Sequence, residues 1–146
     1  MEALGKWKYS NDRDSTILAY SKVESGGSEN CQCNGCRNFV AARNNVFNSA
    51  FLSLLNTLGI DPLKDAEVYH CARMEPGKHH YGGWFHFVGN LYEDGDFPMV
   101  KLGEDISVCL SIADAPRLAS FKGLQAVQLS FYTDSVPWVL NEKEPE

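Results

Sequence analysis

Arg37-Asn38-Phe39-Val40-Ala41-Ala42-Arg43-Asn44-Asn45-Val46-Phe47-Asn48-Ser49-Ala50-Phe51-Leu52-Ser53-Leu54-Leu55-Asn56-Thr57-Leu58 carries its apolar residues at helical spacing. Phe39, Val40, Ala42, Val46, Phe47, Ala50, Phe51, Leu54, Leu55 and Leu58 form a wide stripe, with Asn44, Asn45, Asn48, Ser49, Ser53 and Asn56 opposite. The spacing predicts one amphipathic helix of about six turns at 3.6 residues per turn. Asn34 is the expected cap at its start, and Gly59 suits the left-handed position that ends it. Asp61-Pro62 then reads as a cap with proline at the first position of a brief turn. A helix with so broad an apolar face needs a partner layer, and the rest of the chain supplies strands.

Downstream, Glu67 to Met74 reads as a strand, Glu75-Pro76-Gly77-Lys78 as a turn, and Tyr81 to Leu91 as the antiparallel partner. Asp94-Gly95-Asp96-Phe97-Pro98 interrupts the chain. Ile106 to Ile112 and Gln125 to Tyr132 alternate as further strands, Pro116 to Gly123 holds a helical turn or loop, and Val136 to Leu140 is a last edge piece. Upstream, Lys6 to Tyr9 and Thr16 to Tyr20 look like the arms of a hairpin around Ser10 to Ser15. Glu24 to Asn30 reads as a flexible connector, and Asn141 to Glu146 as a polar tail. The expectation is a single α+β domain over 1–146. It has a mostly antiparallel sheet of about five or six strands and one long amphipathic helix packed on one face.

At 146 residues, 44% hydrophobic and 22% charged, the composition is that of an ordinary globular domain large enough to bury a core. A net charge of −6 disfavours a nucleic-acid partner, since phosphate backbones would be repelled, and it suits a basic protein partner. No apolar run approaches the roughly 20 residues of a membrane-spanning helix, so no membrane association is expected. Met1 to Lys8 lacks the apolar core of a secretory leader, which makes the cytoplasm the expected compartment. Five cysteines is an odd number, unlike a secreted disulfide framework, and in a reducing compartment they would be free, metal-bound or redox-active.

Three of those thiols lie in Cys31-Gln32-Cys33-Asn34-Gly35-Cys36, immediately before the helix. Zinc takes thiolates in tetrahedral geometry, and the C-x2-C spacing of Cys33 and Cys36 lets one turn present two sulfurs to one ion. Cys31 supplies a third if the chain folds back, with Gly35 relaxing the turn. A closed site needs a fourth ligand, for which Cys71, His70, His79, His80 and His86 are candidates. The same spacing at a helix N-terminus would lower a thiol pKa and favour redox chemistry. A third reading is that small cysteines simply pack the start of the helix against the sheet. Among the histidines, His70 and His86 are expected to face each other across the hairpin, and His79-His80 to be solvated near its turn. Tyr81-Gly82-Gly83-Trp84-Phe85-His86-Phe87 reads as core.

Other signatures are missing. Asp94-Gly95-Asp96 does not match a calcium loop, Gly-x-Ser-x-Gly does not occur, and no glycine loop could cradle phosphate. The sequence therefore points to a small cytosolic, non-enzymatic binding or accessory domain acting on a protein partner, with zinc as the candidate stabiliser of the Cys31, Cys33, Cys36 turn. The alternative is a metal- or thiol-dependent enzyme that uses the same cluster with a histidine.

Overall fold

A computed structural model describes residues 1–112 and 115–146. The α+β expectation holds. Seven strands form an antiparallel sheet: β1 (Glu2–Leu4), β2 (Trp7–Asn11), β3 (Glu67–Glu75), β4 (Lys78–Leu91), β5 (Val100–Leu102), β6 (Ile106–Ser111) and β7 (Ala126–Pro137). Their order is β1-β2-β4-β7-β6-β5, with β3 also paired to β4. No helix among the described residues is long and apolar enough to cross a membrane.

The long helix divides. Helix α3 (Asn34–Ala42) passes through a 3-10 turn (Arg43–Asn45), and α4 (Ser49–Leu58) starts afresh. Asn48 causes the restart: its side chain accepts from the Phe51 N–H at 2.9 Å, as an N-cap does, and its Nδ2 donates to the Leu102 carbonyl at 2.8 Å. Asparagine competes well for backbone partners outside a helix, so a run of three asparagines in five residues breaks a stripe that periodicity alone would continue. The break lets Phe39, Phe47 and Phe51 converge on Phe131, with ring centroids 6.3, 5.4 and 5.5 Å away. Gly59 ends α4 at φ +83°, as expected from the sequence.

The expected N-terminal hairpin arm at Thr16 to Tyr20 is instead part of helix α1 (Arg13–Ser21), capped by Asp12, which accepts from the Ser15 N–H at 3.0 Å. Its β-branched residues suggest a strand, yet tertiary hydrogen bonds decide otherwise. Strand β4 is 14 residues long, and β3 and β2 share one of its edges: β3 pairs with its first half, β2 with residues 89–91. Helix α1 closes the gap between them. Tyr20 Oη donates to the His86 carbonyl at 2.7 Å, Thr16 Oγ1 accepts from the Val88 N–H at 2.9 Å, and the Asp12 N–H donates to the Val88 carbonyl at 2.8 Å. Buried backbone groups need such partners.

The presumed flexible connector is also ordered. It contains a short helical turn, α2 (Gly27–Asn30), pinned by the buried Asp65 carboxylate, which accepts from Ser28 Oγ at 2.6 Å and the Ser28 N–H at 3.0 Å. Gly27 allows this approach, because a Cβ there would collide with the Ala66 carbonyl. The last edge piece is shorter than expected: Val136 and Pro137 finish β7, while Trp138 to Leu140 leave the sheet. One face of the sheet buries Tyr81, Phe85, Phe87, Leu129 and Phe131 in the aromatic core with α3 and α4, as expected for the aromatic stretch. On the other face Phe121 covers His86.

Candidate metal centre at the start of helix α3

The cysteine turn folds back as the sequence reading required. Cys31, Cys33 and Cys36 bring their sulfurs within 4.8 Å of one another, an arrangement that could hold a metal ion. Cys33, rather than the expected Asn34, is the N-cap of α3: its Sγ accepts from the Cys36 N–H at 3.3 Å. The Cys31 and Cys33 sulfurs are 3.3 Å apart. In a tetrahedral zinc site with Zn–S bonds of about 2.3 Å, sulfurs lie about 3.8 Å apart, so the donor type fits a thiophilic ion and the Cys31–Cys33 pair would open by about half an ångström to hold it.

The three thiols differ in environment. Cys33 is exposed, Cys31 is half-buried, and Cys36 is buried with its Sγ 3.7 Å from the Val68 carbonyl. The Cys31 pKa is lowered, first by a hydrogen bond from the Cys33 backbone N–H and then by the Cys36 and Cys33 thiols. Burial pushes the Cys36 thiol up, as do the neighbouring sulfurs. A cation bound among them would reverse the second effect, because a coordinating thiol is deprotonated outright.

The sheet holds this turn in place. Tyr81 Oη donates to the Gly35 carbonyl at 2.8 Å, and burial raises its pKa to about 12, keeping it a donor. Asn38 donates to the Pro137 carbonyl at 3.0 Å and accepts from the Val139 N–H at 2.7 Å. A Cβ on Gly35 would sit 3.2 Å from the Cβ of His70, so a larger residue there would require the turn or β3 to shift by a few tenths of an ångström. Among the described residues, no histidine, carboxylate or further cysteine joins the three sulfurs as a fourth ligand within that 4.8 Å grouping.

The candidate fourth ligands are dispersed. Cys71 is exposed on β3. His70 pairs with Tyr81, not with His86, whose cross-strand partner is Gln128. The expected His70–His86 meeting fails because β3 pairs only with the first half of β4. His79 and His80 are strand residues of β4 rather than loop residues, and His79 is fully buried. His80 is half-buried and stacks on Tyr132, with ring centroids 6.3 Å apart.

One array was not foreseen from the sequence. His70 Nε2 lies 2.7 Å from His79 Nδ1, and His79 Nε2 lies 2.9 Å from Glu144 Oε2. Burial lowers the His70 pKa, and the neighbouring His79 and His80 lower it further. Glu144 is held below its usual range, first by His79 and then by the Gly77 N–H and Arg73. The supposed polar tail is therefore a strap. Glu142 pairs with Arg37 through both carboxylate oxygens, and Trp138 Nε1 donates to the Glu142 carbonyl at 2.9 Å. Local spacing carries no signal for a partner 65 residues away. No family model, curated protein or solved structure matches the chain.

Proposed function

We propose that this chain is a small binding domain whose cysteine turn holds one zinc ion and thereby locks the start of α3 onto the sheet. The convergence of the Cys31, Cys33 and Cys36 sulfurs carries this reading. The Gly35 carbonyl of the turn is already held by Tyr81 Oη, and Asn38 in the first turns of α3 is tied to Pro137 and Val139, so metal binding would require little further ordering. Protein purified without chelator and without a histidine tag should contain about one zinc per chain. A chelator should then lower the melting temperature, and Cys33→Ser with Cys36→Ser should abolish zinc retention. Substoichiometric zinc together with melting unchanged in chelator would sink the idea.

The partner-binding half of the reading draws on the sheet face turned away from α3 and α4. There Tyr69 lies over Gly82, its ring 6.1 Å from Trp84, and Tyr132 stacks with His80. Aromatic side chains of this kind anchor protein interfaces. A partner recovered with the native protein should be lost from Tyr69→Ser with Tyr132→Ser, with zinc content unchanged. A partner retained by that variant would exclude this face. The reading as a thiol-dependent enzyme is favoured by one observation, the lowered pKa of the partly accessible Cys31. It requires Cys31 to alkylate faster at neutral pH than an ordinary thiol.

A further inference from the structure

We infer that the three-cysteine centre is an open one, whose fourth coordination position accepts the thiolate of a small, carboxylate-bearing thiol from solution. The inference rests on the zinc reading above and concerns what completes that site. Structural zinc sites are closed by four protein ligands, whereas sites with three protein ligands keep a position for an exchangeable one. Here three sulfurs converge, and no fourth donor side chain among the described residues shares their 4.8 Å grouping. His70, whose Cβ lies against Gly35, has its Nε2 engaged by His79 Nδ1 at 2.7 Å.

The centre is also reachable. Cys33 is exposed, and Cys31 lines a surface cleft of about 230 Å³ together with Ser28, Glu29, Gln32, Arg37 and Val40. That volume is below the range of sites for drug-sized molecules, so it suits a short ligand. A metal held by thiolates is soft and favours a sulfur donor over water. Arg37 sets the second requirement. Its Nε is fixed on the Gln32 carbonyl at 3.1 Å, and both of its terminal nitrogens hold the exposed carboxylate of Glu142. A ligand carboxylate would enter by exchanging with that of Glu142 on the same fork, which favours a thiol carrying one. On binding, the incoming thiol releases its proton to solvent, its sulfur bonds to the metal, and a metal-bound water leaves. No electrons change hands.

Cobalt(II) loaded in place of zinc makes the coordination visible, because its d–d bands report geometry and its charge-transfer band reports Co–S bonds. Mercaptoacetate should shift the former and strengthen the latter in a saturable titration, with one cobalt per chain retained after dialysis. Mercaptoethanol should bind roughly three- to tenfold more weakly, and Arg37→Gln should erase that difference without altering cobalt content, as expected for one partly exposed ion pair. Val40→Trp, which fills the cleft, should weaken both thiols. A blocked Gly-Cys-Gly peptide that binds more tightly than mercaptoacetate would show a protein thiol to be the ligand and overturn the small-molecule assignment. Bands that do not respond to thiol, or cobalt stripped by it, would overturn the open site while leaving the metal reading intact. A chain that takes up neither cobalt nor zinc would instead overturn the metal reading itself.

Discussion

His86 is only 2% exposed, and neither of its ring nitrogens has a hydrogen-bond partner among the described residues. Its cross-strand neighbour Gln128 likewise leaves Oε1 unpartnered. Burial, aided by the charge of Arg117, lowers the His86 pKa from 6.5 to about 4. The folded pKa lies below the unfolded one, so between those values the unfolded chain binds more protons. Stability from this residue is therefore complete above about pH 6.5 and declines as pH falls towards 4, by about 3 kcal/mol in all. His86→Phe should flatten that part of the profile. Urea denaturation from pH 4 to 7 would test it, and equal pH slopes in both proteins would refute the assignment. The sequence marks this histidine as half-buried strand material, which is correct in kind. Phe121, 35 residues further on, packs over its ring, and no local pattern encodes that contact.

At the scale of elements, the helical stripe was read correctly for most of its buried face and incorrectly for its continuity, and Ala50, placed on that face, is exposed. Phe39, Phe47, Phe51, Leu55 and Leu58 are all buried, as the spacing requires. The division into α3 and α4 was written in Asn48-Ser49, a cap sequence inside an apolar pattern. Asn48→Ala removes the cap of α4 and the tie to Leu102 together. It should cost about 1–2 kcal/mol in chemical denaturation, the usual range for losing an N-cap. No change would mean that α4 starts elsewhere. Helix α1 shows the opposite failure. Thr16 and Ile17 favour strand locally, but the unpaired edge of β4 between β2 and β3 needs the donors and acceptors that a helix places one turn apart. That demand exists only once the sheet has formed.

Across the whole molecule, the C-terminal strap joins parts that are distant in sequence. Glu142 reaches Arg37 on α3, and Glu144 reaches His79, Arg73 and the Gly77 N–H on the hairpin of β3 and β4. Glu144 has a lowered pKa, so the strap is held at neutral pH and released as pH falls through the lowered value. Glu144→Gln should hasten removal of the tail by carboxypeptidase at pH 7 and leave the melting transition nearly unchanged. Equal digestion rates would show that the strap rests on Trp138 and Glu142 alone. The α+β class, the hairpin of β3 and β4, most of the buried helix face and the cysteine turn are legible in the linear chain. Each of these depends on residues a few positions apart, where periodicity, turn chemistry and ligand spacing act. Assembly of the whole chain is what makes Thr16 and Tyr20 patch a sheet edge, buries His79 on Glu144, and places Cys31, one of three converging sulfurs, along a cleft. Those outcomes follow from which buried polar groups remain unpaired after the strands assemble, a condition that a linear pattern does not contain.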